Sequence, residues 1–398
     1  MVGFVPVFDK HLVEVGLFFS VALGDNKQKK GCWWVLMKWL INPVGTKCNL
    51  LCQYCCQDHV YEVEKFSPRI KMDMLKDLFE GIGDCCGDKV FLHWHGGEPL
   101  LAGRDFFQRA VHMQLNAFSC NTEIYNAMST NGLLLDRQWL SWFIDNRIEL
   151  VISIDGSDYY QNSYRFQSEE DFERVVQRLH LIRQAGGQLD VSLVVHDRNW
   201  DRAADICSFM SKVGISQLRL LPCLCGDDKQ VSPLTVDIER FGRFCCDLFD
   251  AWVKLKSPFR VTLFSIIFRA LATGFLPVCY FSGHCSSVHV ENDGSVYSSC
   301  VITRPDTFLG NLSSSSVKDI IDKFNMFSGN LAVKPGDARD VLLKDEPNPV
   351  GCVDSIVCPY FNHELSQYMY MDACRMLAYH IFVSSGWAID EFGISVNQ

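Results

Sequence analysis

The 398-residue chain has no apolar run long enough to cross a bilayer. The longest near its start, Val13 to Gly24, is broken by Glu14 and falls short of the roughly 20 residues a spanning helix needs. Basic charge is scarce as well: 37 Lys and Arg stand against 47 Asp and Glu, a net charge of −10, which argues against nucleic-acid binding through a broad basic surface. A basic n-region is missing too, since Asp9, Lys10 and His11 precede the apolar stretch, so no secretory signal is read. Charged residues at 21% and hydrophobic residues at 48% exclude a disordered chain or a coiled coil. The expectation is a folded cytoplasmic protein without membrane or nucleic-acid partners.

Cysteine, by contrast, is abundant. The chain holds 19 and is large enough to bury a full core without disulfide staples. In a reducing cytosol such thiols serve metals or catalysis more often than cross-links.

From about Trp33, short apolar runs alternate with segments of helical period, the pattern of a parallel sheet with crossover helices. Strands are expected at Trp34–Asn42, Val90–His95, Glu123–Ser129, Glu149–Ile154, Gln188–Val195 and Gln217–Leu221. Helices are expected at Met72–Ile82, Asp105–Phe118, Asp136–Asp145, Asp171–Gln184, Arg202–Lys212 and Val236–Lys254. Six such units predict an α/β protein built on a partial (β/α)6 TIM barrel rather than an open doubly wound sheet. After Ser257 the character changes. A helical run to Leu271 is followed by a hairpin signal, Asp293-Gly294 between Ser287–Val290 and Val296–Tyr297. A helix over Val317–Phe327 follows Ser313–Ser316, and Lys334–Gly351 reads as a loop. The expected division is an N-terminal extension (1–32), a barrel (33–256) and a smaller C-terminal domain (257–398).

Cys48, Cys52 and Cys55 form a C-x3-C-x2-C triplet directly after the first strand, on the face of a β/α barrel where active sites sit. Three thiolates from one loop can hold three irons of a [4Fe–4S] cluster and leave the fourth open, whereas an electron-transfer cluster is usually closed by four cysteines. For the triplet alone, a zinc knuckle is the competing reading. Three further clusters fall at strand ends: Trp94-His95-Gly96-Gly97-Glu98-Pro99, Ser129-Thr130-Asn131-Gly132, and Ser153-Ile154-Asp155-Gly156 followed by Tyr164-Arg165. Each by itself is a turn former. Together on one rim they describe a pocket for an amino-acid-like cofactor, in which Glu98, Ser153 and Arg165 could pair with an ammonium and a carboxylate.

These motifs resemble those of the radical S-adenosylmethionine (SAM) superfamily, over roughly Trp34 to Lys254. The cluster loop C-x3-C-x-aromatic-C matches Cys48, Cys52, Tyr54 and Cys55, and the GGEP motif matches Gly96 to Pro99. The resemblance implies a [4Fe–4S] cluster whose open iron chelates SAM, and reductive cleavage of SAM to a 5′-deoxyadenosyl radical that abstracts a substrate hydrogen. It also implies Gly96, Gly97 and Glu98 at the methionyl amine, Ser153 near the ribose or carboxylate, Arg165 at the carboxylate, and Val194 or Val195 against adenine.

Cys279-x5-Cys285-x14-Cys300 followed by Leu309-Gly310-Asn311-Leu312, with Cys352, Cys358 and Cys374 beyond, looks like a SPASM domain, the module that carries auxiliary iron–sulfur clusters. The match is incomplete: Pro349 and Asn362 stand where the full pattern has cysteines. The six remaining thiols could serve one or two auxiliary [4Fe–4S] clusters. Val301 follows Cys300, where the anaerobic sulfatase-maturing branch carries an aspartate proposed as base, and valine cannot take a proton. The run Trp94 to Gly103 looks more like maturases of ribosomally made peptides (RiPPs) of the cyclophane-forming type. The reading is therefore a radical SAM oxidoreductase that cross-links side chains, with a carbon–carbon bond to an aromatic residue, in a precursor peptide bearing a leader. A low-potential donor of flavodoxin or ferredoxin type would reduce it. The alternatives are a sulfatase maturase making formylglycine and a non-catalytic metal-stabilised peptide-binding scaffold.

No catalytic base is assigned. His93 and His95 alternate on the second strand and read as structural histidines. Cys56 reads as a bystander, and Cys223 could face the barrel mouth with Cys225. Asp197, Arg198, Arg219, Asp227 and Asp228 could line that mouth, and residues 1–31 could offer a strand edge to a leader peptide.

Overall fold

A computed structural model describes residues 37–55, 69–85, 87–223, 234–273, 287–298, 307–329, 364–384, 387–390 and 393–396. The expected alternation is present. Strand β1 (Lys38–Ile41) is followed by α1 (Met72–Cys85), β2 (Lys89–Trp94), α2 (Arg104–Ala117), β3 (Glu123–Thr130), α3 (Arg137–Asp145) and β4 (Ile148–Ser153). A short helix not foreseen from periodicity, α4 (Tyr159–Asn162), precedes α5 (Glu169–Gln184), β5 (Leu189–Val195), α6 (Ala203–Val213), β6 (Gln217–Pro222) and α7 (Ile238–Lys254). Helix starts follow local chemistry. Asp136, Ser168 and Asp237 each accept a hydrogen bond from the backbone N–H three residues on, and α5 opens on Glu169, Glu170 and Asp171 at the positive end of its dipole.

Strands β1 to β6 lie parallel and in sequence order. The sheet does not stop at residue 256. Strand β7 (Arg260–Val261) pairs parallel with β6, and β8 (Ser287–Val290) pairs parallel with β1, so segments beyond the expected boundary extend both edges of the barrel. The Asp-Gly hairpin forms as expected, joining β8 to β9 (Ser295–Tyr297), with Gly294 at φ +85°. The open sheet ends with β10 (Phe308–Asn311), antiparallel to β9. Helix α8 (Thr262–Thr273) precedes β8, and α9 (Val317–Gly329) starts at a reciprocal cap, Ser316 Oγ accepting from Asp319 N while Asp319 Oδ2 accepts from Ser316 N. Helix α10 (Glu364–Ser384) and the antiparallel pair β11 (Trp387–Asp390) and β12 (Gly393–Val396) complete the described elements.

Side chains alternate across each strand. The outward set packs under the helices: Trp94 meets Phe79 of α1 and Phe107 of α2 edge to face, at 6.4 and 5.2 Å between ring centroids. The inward set mixes apolar residues such as Leu40, Phe91 and Val151 with a charged group, Lys38, His93, Glu149, Asp190 and Arg219, near enough to influence one another's charge. Asp190 pairs with Arg219 at 3.1 Å. A parallel barrel normally fills its interior with branched apolar residues; a charged group there marks a space meant for something else. Among the described residues, no helix is long and apolar enough to cross a membrane.

Helices α7 and α10 touch so closely that a Cβ on Gly242 would meet Met376 Sδ at 2.6 Å. Cys374, expected as an auxiliary ligand, lies in the apolar stripe of α10 with Ala373, Leu377, Ala378 and Ile381, all at most 1% exposed. It lies beside Cys245 of α7, and burial pushes both thiols up. The position accounts for the residue as packing. Cys279, Cys285, Cys300, Cys352 and Cys358 lie outside the described residues, as do Val301, residues 1–36, Cys56, Cys225, Asp227 and Asp228.

Candidate functional site

The thiol loop leaves β1 at the C-terminal face and is tied to three neighbouring strand ends. At the end of β2, Gly97 N donates to Gly45 O and Glu98 N to Lys47 O, both at 2.9 Å. At the end of β3, Asn131 Nδ2 donates to Asn49 Oδ1 at 2.8 Å and to Cys48 Sγ at 3.9 Å. Beyond β4, Gln53 N donates to Tyr164 O at 2.7 Å and Cys52 Sγ to Arg165 O at 3.7 Å.

Burial raises the Cys48 thiol to about 11 and the Cys52 thiol to about 12, and the three thiols act on one another's charge. Among the described residues no three His, Cys, Asp or Glu side chains close on a single point.

The glycines serve a purpose not read from sequence. A Cβ on Gly96 would lie 2.0 Å from Asn42 Oδ1, and one on Gly97 would lie 2.2 Å from Lys47 O. Gly96 also has φ +114°, a conformation that favours glycine. These residues are bare so that the turn after β2 can lie against the thiol loop. Their carbonyl oxygens accept no hydrogen bond among the described residues, and so remain available to an amine.

Glu98, expected at that amine, already accepts from three donors of this chain. Its side chain is 1% exposed, and its oxygens accept from Leu100 N (3.0 Å), Thr130 Oγ1 (2.8 Å) and Asn131 N (2.8 Å). Burial raises its carboxyl to about 7 against the opposing effect of those bonds. Glu98 is the pin between the ends of β2 and β3.

Arg165 is likewise not a lone cation at the pocket. Its Nε and Nη2 donate to Asp155 at 3.1 and 3.3 Å. Burial works against the guanidinium charge, but Asp155, Tyr54 and Cys52 outweigh it and hold Arg165 above the ordinary arginine value. Asp155, missed by sequence reasoning because Asp-Gly was read as a turn, is the node of this end of the site. It is fully buried and also accepts from the Tyr54 hydroxyl and from Val194 N at 3.0 Å. Ser153 faces the lumen opposite Ser192, with no partner for its hydroxyl among the described residues, so it fits a polar cofactor contact. Of the two valines, Val194 lies on the lumen face; Val195 is 0% exposed in the core beneath the helices, which removes it from the pocket.

Other mouth residues have partners of their own: Tyr164 donates to Asp197 at 3.1 Å, and the Arg198 guanidinium lies 4.0 Å from the Tyr164 ring centroid. Cys223 is buried at the end of β6.

The fold and site are those of a parallel half-barrel with a three-thiol loop pinned at its C-terminal rim. Residues 42–210 match the model of the radical SAM superfamily, and the chain carries a radical SAM domain. Such a domain uses a [4Fe–4S] cluster and SAM, and the thiol loop, the free glycine carbonyls and Ser153 fit them. The chain is 27% identical over 305 residues, 71% of its length and 73% of the relative's, to a serine-type anaerobic sulfatase-maturating enzyme of Bacteroides thetaiotaomicron. Its fold is shared with anSMEcpe bound to AdoMet and a Cp18Cys peptide (TM-score 0.69, 20% identity, 87% of this chain and 97% of that one). It is also shared with Streptococcus suis SuiB bound to precursor peptide SuiA (TM-score 0.56, 11% identity, 75% and 67%).

Proposed function

We propose that the chain is a radical SAM maturase that oxidises a side chain within a peptide segment held at the mouth of its barrel. The observation that carries this reading is the convergence of the thiol loop, Gly96, Gly97 and Ser153 on a lumen lined by Lys38, His93, Glu149, Asp190 and Arg219. Cys48, Cys52 and Cys55 hold the cluster, while Gly96 and Gly97 offer carbonyls to the SAM amine. Arg165, braced by Asp155, presents its remaining N–H groups near the carboxylate, and Val194 packs against the base. When bound, the cluster and SAM together supply a carbon radical able to abstract a substrate hydrogen. The protein's part is to exclude water, hold the peptide and receive the proton that oxidation releases.

Two finer readings stand. Similarity to sulfatase maturases favours oxidation of a serine or cysteine to formylglycine. Val301 and the Trp94–Gly103 run favour a cyclophane-type carbon–carbon cross-link in a precursor peptide recognised by its leader, with auxiliary clusters on Cys279, Cys285, Cys300, Cys352 and Cys358 taking the second electron. Cross-linking and serine oxidation both remove two hydrogens, so intact mass does not separate them. Anaerobically reconstituted protein should therefore be given a small Trp-containing peptide encoded beside its gene and, separately, a sulfatase active-site peptide, with a flavodoxin-type donor. A product trapped by hydrazide is an aldehyde; one that is not, and whose fragmentation stops between two residues, is a cross-link. Formation of 5′-deoxyadenosine with both peptides unaltered would sink the maturase reading.

A further inference from the structure

His93 and His95 lie two residues apart on β2 and point into the same lumen, yet their surroundings differ. His93 is 7% exposed, and its Nε2 lies 2.7 Å from Ser129 Oγ, a satisfied structural histidine. His95, at the strand's end beside Gly96, is only partly buried, and its Nε2 is shielded from water without a partner. Its other nitrogen, Nδ1, is not among the shielded atoms and bonds to no described residue.

Behind His95 stands a second imidazole. The His289 ring of β8 lies 4.5 Å away at 61°, fully buried; its Nε2 is 3.2 Å from Glu291 Oε1, within ion-pair reach, and neither ring nitrogen is hydrogen-bonded. Glu291 is held in turn by Asn42 Nδ2 at 2.7 Å on Oε2, and Asn42 is the residue against which Gly96 packs. An imidazole open to the lumen, with a second imidazole packed against its ring and a buried carboxylate within ion-pair reach of that one, has the parts of a base whose charge can be compensated. The groups facing His95 are His93 on its own strand, His289 on β8 and Lys38 on β1. Burial and these three keep it neutral, with a pKa well below the ordinary histidine value. A neutral imidazole can accept a proton.

We propose that His95, backed by His289 and Glu291, is the proton acceptor of the oxidation carried out at this barrel mouth. This rests on the maturase reading above. Loss of two hydrogens from a side chain divides into one hydrogen atom, taken by the carbon radical, one electron, passed to an iron–sulfur cluster, and one proton. The proton goes to His95 Nδ1 as the new C=O or C–C bond forms, and the resulting imidazolium is balanced through His289 by the Glu291 carboxylate. His95 meets the substrate, whereas His289 and Glu291 act through it.

The test uses reconstituted full-length protein with the two peptides named above, side-chain deuterated at the reacting residue, from pH 5.5 to 8.5. For His95→Gln the expected result is that deuterium still reaches 5′-deoxyadenosine while product falls roughly 10²-fold. His95→Ala should regain part of its product with added imidazole, and His289→Gln should shift the pH profile of product formation without abolishing it. His112→Gln, an exposed histidine of α2, is the control. Product from His95→Gln within threefold of wild type overturns the assignment alone, as does loss of deuterium transfer, which would make His95 a cofactor contact. Wild-type 5′-deoxyadenosine formation with neither peptide altered overturns the maturase reading and the assignment with it.

Discussion

Tyr54 of the thiol loop donates its phenolic proton to Asp155 at the end of β4, across 101 positions of sequence. The aromatic residue between the second and third thiols is thus a clamp on the loop. The same carboxylate takes two bonds from Arg165 and one from the backbone of β5, so one buried acid sets the thiol loop, the Arg165 segment and the fifth strand against each other.

Removing that acid leaves a buried guanidinium without its partner. Asp155→Asn should cost about 3 kcal/mol or more in denaturant unfolding and lower the iron retained after reconstitution. Tyr54→Phe should cost about 1–2 kcal/mol with a smaller loss of iron. An Asp155→Asn protein with wild-type stability and iron content would show that the network does not hold the loop.

Glu98 gives the fold a pH dependence of unusual sign. Its carboxyl titrates near 7 when folded and near its ordinary, lower value when unfolded, so between those values the folded state holds the extra proton. Stability from this group is fully present below about pH 4.5, falls as pH rises through about 7, and is flat above. The full effect is about 3 kcal/mol at most. Urea midpoints of the iron-free protein at pH 5.5 and 8 should separate more in wild type than in Glu98→Gln; equal separations would contradict the buried, raised carboxyl.

Gly97 and Gly87 make a paired comparison. A methyl at Gly97 would strike the backbone oxygen of Lys47 at 2.2 Å, whereas one at Gly87 meets nothing within 4 Å. Gly97→Ala should destabilise by about 1–3 kcal/mol and displace the thiol loop, measured as lost iron, while Gly87→Ala should stay within about 0.5 kcal/mol. Similar behaviour of the two would mean the turn after β2 does not rest on the thiol loop.

Cys374 separates packing from ligation. Placed in the α7–α10 core, its change to Ala should cost about 1 kcal/mol and leave iron and sulfide per chain unchanged. A loss of about four irons in Cys374→Ala, as one cluster contains, would make it a metal ligand.

The order of strands and helices was legible in the chain because hydrophobic period is a local property, and each expected strand from Val90 to Leu221 lies within two residues of its place. The thiol spacing and the glycine pair were legible for the same reason: their chemistry lies within a few consecutive residues. What those residues face was not. The charge of Glu98 and Arg165 is visible in the sequence, but Thr130 and Asn131 closing on the one and Asp155 bracing the other are not. His93 and His95 look alike on the strand, and only the register of β2 against β3 and the closeness of β8 leave one satisfied by Ser129 and the other against His289. Asn42 and Glu291, 249 positions apart, meet only because β8 returns to pair with β1. Local periodicity determined which elements form. Pairing across the sheet, where buried charges must find partners from distant strands, decided which residues hold the site and which one is left able to act.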